Sequence, residues 1–220
     1  MKKLFLTLNI VLISIVCVLD IFYTLYGGLW LKAITSIGFV LIGATNLIYL
    51  IKNNQRNLKF PIIMLIGLFV AMLGDIVLNL HFISGAVIFA IGHVFYFFAY
   101  CVLKKFEWKD LIYGGCILIP SVLVITLVPL FDFGGILMEI VCVCYAIIIS
   151  LMVGKAISNF VSTKSLINLL ILIGSVLFFI SDLMLLFDVF SSLPRIMGIL
   201  CLATYYPGQC MLAHSIRYKK

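Results

Sequence analysis

The chain has 220 residues, 65% of them hydrophobic and only 10% charged, and its mean hydropathy is +1.31. A soluble domain carries roughly a quarter charged residues, and a chain of this size cannot hide so much apolar surface from its surroundings. The composition therefore excludes a soluble globular enzyme and indicates a polytopic membrane protein.

The opening stretch MKKLFLTLNIVLISIVCVLDIFY has the basic start and apolar run of a secretory signal. It lacks a small-x-small cleavage site and a second apolar segment follows at once, so it reads as a retained first membrane helix. A spanning helix needs about 20 predominantly apolar residues. Windows of that kind fall near 4–24, 30–51, 61–80, 83–103, 110–130, 133–154, 166–187 and 194–216. The expected architecture is all-α: an eight-helix transmembrane bundle, one domain over residues 1–220, with short loops. Pro61 and Pro194 fall where a helix begins, as suits proline in a first turn.

Of the 15 Lys and Arg residues, all but Lys32 and Arg195 fall on one side of this arrangement, Lys155 and Lys164 among them as loop charges. The positive-inside rule then puts both termini in the cytoplasm, as an even helix count requires. The formal net charge of +7 follows from these loops and calls for no nucleic-acid partner. The 7 cysteines include no CxxC pair and read as small buried hydrophobes, neither disulfides nor metal ligands.

Gly67, Asp75 and Leu78 recur 107 residues later as Gly174, Asp182 and Leu185, and the same offset takes Lys32 to Glu139. Helices 1–4 and 5–8 are thus expected to form two parallel halves related by an axis along the membrane normal.

Asp75 lies about 14 residues up the third helix, roughly 21 Å into a ~30 Å core. Asp182, in a helix of the same polarity, lies at a similar level. His93 falls near mid-membrane in the fourth helix, Glu139 a turn and a half into the sixth, and Tyr205 near the midplane of the eighth, with Gln209 one turn deeper. A charge at helix centre costs about 2.5–3.5 kcal/mol on insertion scales, so such residues face a bundle interior or a wet cavity.

Each has a structural reading beside the functional one. Asp75 shares a face with Asn79 one turn on and could simply tie two helices, as could Asp182 with Ser181; two aspartates at one depth favour a shared site. His93 shares a face with Tyr96 and Tyr100 and could be a satisfied core histidine. Lys32 and Glu139 could form a buried ion pair without chemistry, and Asp20 reads as interfacial. Tyr205, Tyr206 and Gln209 flank Pro207 and Gly208 in TYYPGQ, where a kink in the eighth helix and freed carbonyls are expected. No HExxH, Walker loop or GxSxG occurs. With His81 in a loop and His214 near the cytoplasmic end, a three-histidine zinc site is not available. A metal on Asp75, His93 and Asp182 is the minor alternative to the expectation of no metal and no cofactor.

GDIVL in the third helix, GHVFY in the fourth, SDLML in the seventh and YYPGQ in the eighth together resemble the YhhN-like lysoplasmalogenase family over nearly the whole chain. Lys32 resembles that family's KP element, with Ala33 in place of the proline. The resemblance implies a lysoplasmalogenase-like ether hydrolase of the cell membrane, acting on a lysophospholipid. It would cleave the vinyl ether bond of lysoplasmalogens to a fatty aldehyde and a glycerophospho-alcohol. It also implies Asp75 and Asp182 as the acidic residues of the site. The chemistry is compatible. Vinyl ether hydrolysis needs a proton delivered to the β-carbon and a second carboxylate for the oxocarbenium ion or for water, as in glycosidases. Burial and a like charge nearby are the devices that keep such an acid protonated.

Expected orienting groups are Lys32, Asn79, His93, Tyr96, Glu139, Tyr205, Tyr206 and Gln209, with Lys32 placed to meet the lipid phosphate. Two other classes stay open: a small ion- or proton-coupled transporter and a non-catalytic lipid-binding protein. The oligomeric state is not legible.

Overall fold

The structure, a computed structural model, describes residues 2–193 and 196–218. Pro194, Arg195, Lys219 and Lys220, used above as a helix start and as orientation markers, lie outside the described residues. The elements in order are α1 (Lys2–Tyr26), α2 (Leu29–Lys52), α3 (Lys59–Leu78), α4 (Phe82–Leu103), α5 (Trp108–Leu127), α6 (Ile136–Ser162), α7 (Leu166–Phe190), α8 (Ile196–Ser215) and a closing 3-10 turn (Ile216–Tyr218). All 8 α-helices are long and apolar enough to cross a membrane. A bilayer offers backbone groups no water, and a helix satisfies them internally. The protein is an eight-helix bundle of the multi-pass membrane class.

Its exterior is apolar: Leu4, Ile10, Ile21, Trp30, Ile112 and Ile136 all point outward, as a lipid-facing surface requires. α1 buries only a narrow seam of Asn9, Val16 and Asp20 among its described side chains. Asp20, expected from sequence to reach water, is only 9% exposed. Its spacing of four from Val16 turns it onto the packed face.

The internal repeat extends to the backbone. α2 and α3 begin at Leu29 and Lys59, and α6 and α7 begin at the positions with the same offset, Ile136 and Leu166. Gly27–Gly28 and Gly134–Gly135, also related by that offset, all take positive φ (68°, 101°, 65° and 152°), a region that side chains with a Cβ avoid. Packing follows the same exchange. α2 lies against α3 and α8, α6 against α7 and α4, and the pairs α3–α4 and α7–α8 close tightly. In one respect the halves differ. α1 packs on both α2 and α8, whereas among the described residues α5 packs on α6 alone.

Small residues let backbones approach where helices cross. A Cβ on Gly208 of α8 would lie 3.0 Å from the Gly174 carbonyl oxygen of α7, and one on Gly92 of α4 would lie 3.5 Å from that of Gly67 in α3. α8 runs unbroken through Pro207, and Gly208 serves close packing.

α6 also runs further than its predicted end at 154. Lys155 is not a loop charge but a fully buried one, donating at 2.8 Å to Asp110 Oδ2 and at 2.8 Å to the Lys105 carbonyl. Asn159, one turn on, donates to the Tyr100 carbonyl at 3.0 Å. These partners allow the helix to continue past the apolar window. Of the cysteines, Cys201 and Cys210 are buried, while Cys17, Cys116 and Cys144 are exposed on helix surfaces, contrary to the expectation of burial.

Removing one member of a buried ion pair typically costs about 3–5 kcal/mol because the other is left uncompensated. Lys155→Met is expected to lower unfolding stability by about that amount in detergent melts, and the Asp110→Asn/Lys155→Met double variant to lose distinctly less. Equal losses in the two would show that the pair is not what joins these ends of α5 and α6.

Candidate active site

Asp75, near the end of α3, is 1% exposed. Its Oδ2 accepts from Ser36 Oγ at 2.6 Å and from the Tyr205 hydroxyl at 2.7 Å, and its Oδ1 lies 3.6 Å from Lys32 Nζ. Lys32 and Ser36 are one turn apart on the same face of α2; Tyr205 comes from α8. Taking a carboxylate and an ammonium out of water costs several kcal/mol each, repaid only by close geometry and further hydrogen bonds. Tyr205 is held by rings on several sides, with centroids at 5.2 Å (Phe178), 6.0 Å (Phe89), 6.3 Å (Phe39) and 4.9 Å (Tyr206). That aromatic cage aims its hydroxyl at Asp75.

Behind these groups, the Tyr96 hydroxyl donates to Gln209 Oε1 at 2.8 Å, Gln209 Nε2 to the Tyr205 oxygen at 3.4 Å, and the Tyr206 hydroxyl lies 3.4 Å from Ser36 Oγ. Tyr96, Tyr206 and Gln209 thus support the Asp75 group from behind and do not face the cavity described below.

Asp182 on α7 is more accessible, its side chain 16% exposed. Its Oδ2 accepts from the Tyr145 hydroxyl of α6 at 2.7 Å and lies 3.4 Å from His93 Nε2 of α4. His93 Nε2 is itself 2.7 Å from the Tyr145 oxygen. Since the single Tyr145 proton goes to Asp182, Nε2 must carry the hydrogen that binds Tyr145, and Nδ1 is left without a partner. The arrangement is a relay, His93 to Tyr145 to Asp182. Asp75 is held from α2 and α8, Asp182 from α6 and α4, which are the corresponding helices of the two halves.

Both aspartates line one cavity of about 440 Å³, with Lys32, Tyr205, Ser181 and Cys201 in its wall. Its mouth includes Tyr26, Gly27, Asn79 and Asp188, which lie at the end of the bundle opposite the basic loops. Asn79 lies at the rim and donates to the Asp75 backbone carbonyl at 3.1 Å, not to its carboxylate.

Glu139 is the sequence-derived residue that the structure leaves out. It sits half-buried in the first turn of α6 and does not line the cavity. It cannot pair with Lys32, because α2 and α6 do not touch; the partner of Lys32 is Asp75. The charged neighbour of Asp75 is accordingly opposite in sign, not a like charge. Nor do Asp75, His93 and Asp182 converge as ligands, and among the described residues no three His, Cys, Asp or Glu side chains do.

Sequence reasoning missed Ser36, Tyr145 and Asp188. Ser36 was marked only by its four-residue spacing from Lys32, and Tyr145 only as a hydroxyl within the apolar run from Ile140 to Ile149.

A double-mutant cycle of Lys32→Met and Asp75→Asn, read as thermal stability in detergent, is expected to give a coupling of about 1–3 kcal/mol, the range for residues in one hydrogen-bonded network. Additive losses would mean that the ammonium and the carboxylate do not act as a pair.

No curated protein and no solved structure matches this chain. A family model does: that of the YhhN family matches residues 28–216, from the glycine that opens α2 to the closing turn, so that both aspartates and every helix supporting them lie inside the match. The chain belongs to the YhhN family.

Proposed function

We propose that this protein is a hydrolase of the cell membrane that cleaves the vinyl ether bond of lysoplasmalogens, releasing a fatty aldehyde and a glycerophospho-alcohol. The observation that carries this reading is the pair of carboxyl groups facing one cavity from α3 and α7 in unlike surroundings. Asp75 has an ammonium and two hydroxyl donors around it. Asp182 has the Tyr145–His93 relay and is the more accessible of the two.

In the proposed reaction Asp182, protonated, gives its proton to the β-carbon of the vinyl ether, and the ether oxygen stabilises the resulting oxocarbenium ion. Asp75 steadies that positive charge and takes a proton from the water that adds to the cationic carbon, giving a hemiacetal. The hemiacetal hydroxyl then returns its proton to Asp182 as the carbon–oxygen bond to the glycerol breaks, and Asp75 protonates the departing alcohol. One water is consumed and both carboxyl groups return to their starting states. Tyr145 and His93 orient Asp182, Tyr205 orients Asp75, and Lys32, which also lines the cavity, offers its ammonium to the lipid phosphate.

The transporter reading draws on the two-fold repeat, since parallel repeats are common in transporters. Towards the basic end, however, Tyr96, Tyr100, Tyr206 and Gln209 are fully buried and hydrogen-bonded, which favours a site with one mouth.

Purified protein given lysoplasmenyl-ethanolamine is expected to release aldehyde, and none from the matched saturated alkyl ether. Asp75→Asn and Asp182→Asn should each lower the rate at least about 100-fold, within the range of general acid–base contributions, and Tyr145→Phe by a smaller factor. Undiminished hydrolysis in both asparagine variants would contradict the mechanism. Absence of aldehyde from folded wild-type protein would contradict the function.

A further inference from the structure

A second hollow begins where the polar cavity ends. It runs between α4, α5, α6 and α7, with Ala86, Ser121, Ile125, Val141, Ala146 and Leu186 among its walls. The Ser121 hydroxyl donates to the Ile117 carbonyl at 2.8 Å, so the lining offers the hollow little but hydrocarbon until Tyr145 and Asp182 are reached. Leu78, Phe82, Phe89, Asp182 and Leu185 belong to both hollows. Two of them, Leu78 and Leu185, are the repeat's own equivalent residues. α1, α2 and α8 line the polar hollow alone, α5 and α6 the apolar one alone, and α3, α4 and α7 contribute to both. The first carries Lys32 and Asp75; the second is apolar. α1 closes against α8, whereas among the described residues α5 makes no contact with α4, so the apolar lobe has a side between α4 and α5 that no helix covers.

We propose that this groove is the site of a single lipid hydrocarbon chain, admitted sideways from the bilayer between α4 and α5. The chain then lies in the apolar lobe and the phosphate-bearing head in the polar lobe beside Lys32. The bond joining them crosses Asp182, the one carboxylate common to both. The chemistry at that bond rests on the hydrolase reading; occupancy of the groove does not. Bilayer tails are as apolar as the groove wall, so transfer of a chain between them gains little free energy. The groove therefore selects by fit, and narrowing it should penalise long chains alone.

Ala86→Phe and Ser121→Phe narrow the groove from two helices at partly exposed positions that hold neither aspartate. The probe is a lysophosphatidylethanolamine with a diazirine at the end of a 16-carbon chain, added to protein in nanodiscs, with labelled peptides mapped by mass spectrometry. Label is expected in the groove-lining parts of α4, α5 and α6, falling at least fivefold in both variants while their melting temperatures hold. Alongside, hydrolysis of a 16-carbon lysoplasmenyl lipid should fall at least tenfold and that of an 8-carbon one by less than threefold. Label spread over the bundle exterior, or groove label unchanged in both variants, would overturn the proposal. Groove label lost in the variants, with no aldehyde from any chain length, would uphold the chain site and overturn the hydrolase reading instead.

Discussion

A carboxylate buried among apolar helices is tolerable only where the protein itself replaces the water it has lost, and the arrangement around Asp75 follows from that constraint. Three donors reach it from two helices: Lys32 and Ser36 from α2, and Tyr205 from α8. For those donors to arrive, α2, α3 and α8 must lie side by side, and Tyr205 must be fixed by Phe39, Phe89 and Phe178. The glycine crossing of α7 on α8 supports the helix that delivers Tyr205. Packing and polar satisfaction are thus one requirement, and the site is as rigid as the helix contacts that create it.

The second carboxyl shows what a repeat can do with the same plan. Asp182 is held from α6 and α4 as Asp75 is from α2 and α8, but its neighbours are Tyr145 and His93, and the position equivalent to Lys32 is Glu139, which lies elsewhere. One aspartate is thereby tied to a fixed positive charge and the other to groups that can pass a proton. The two hollows differ in the same sense, one polar and one apolar, and they meet at residues both halves contribute. An amphipathic lipid, polar at one end and hydrocarbon at the other, has the same division as the two lobes taken together.

Much of this was legible in the sequence because a membrane simplifies the code. Long apolar windows gave eight helices, and intramembrane Asp75, Asp182, His93 and Tyr205 stood out by the cost of placing polar groups there. The shared depth of the two aspartates followed from helix rise and polarity, and all four residues come together around one cavity or directly behind it. What sequence could not give was rotation and neighbourhood. Lys32 and Glu139 share a level, yet nothing along the chain shows that α2 and α6 are apart, so the true partner of Lys32 had to come from the packing. Lys155 looked like a loop charge because hydropathy cannot see Asp110 waiting on another helix. Tyr145 carried no sign of its role beyond a hydroxyl in an apolar run, and α8 continues through Pro207 as one helix.

The central claim is that a carboxyl inside the bundle protonates carbon. The most direct test is hydrolysis of lysoplasmenyl-ethanolamine by the purified protein in D2O, with the aldehyde trapped at once by borohydride and the alcohol analysed by mass spectrometry. The account predicts one deuterium at C2 of the fatty alcohol, the former β-carbon of the vinyl ether. Fatty alcohol formed without deuterium at C2 would show that the bond is broken without carbon protonation from exchangeable groups, and would contradict the proposed role of the aspartates.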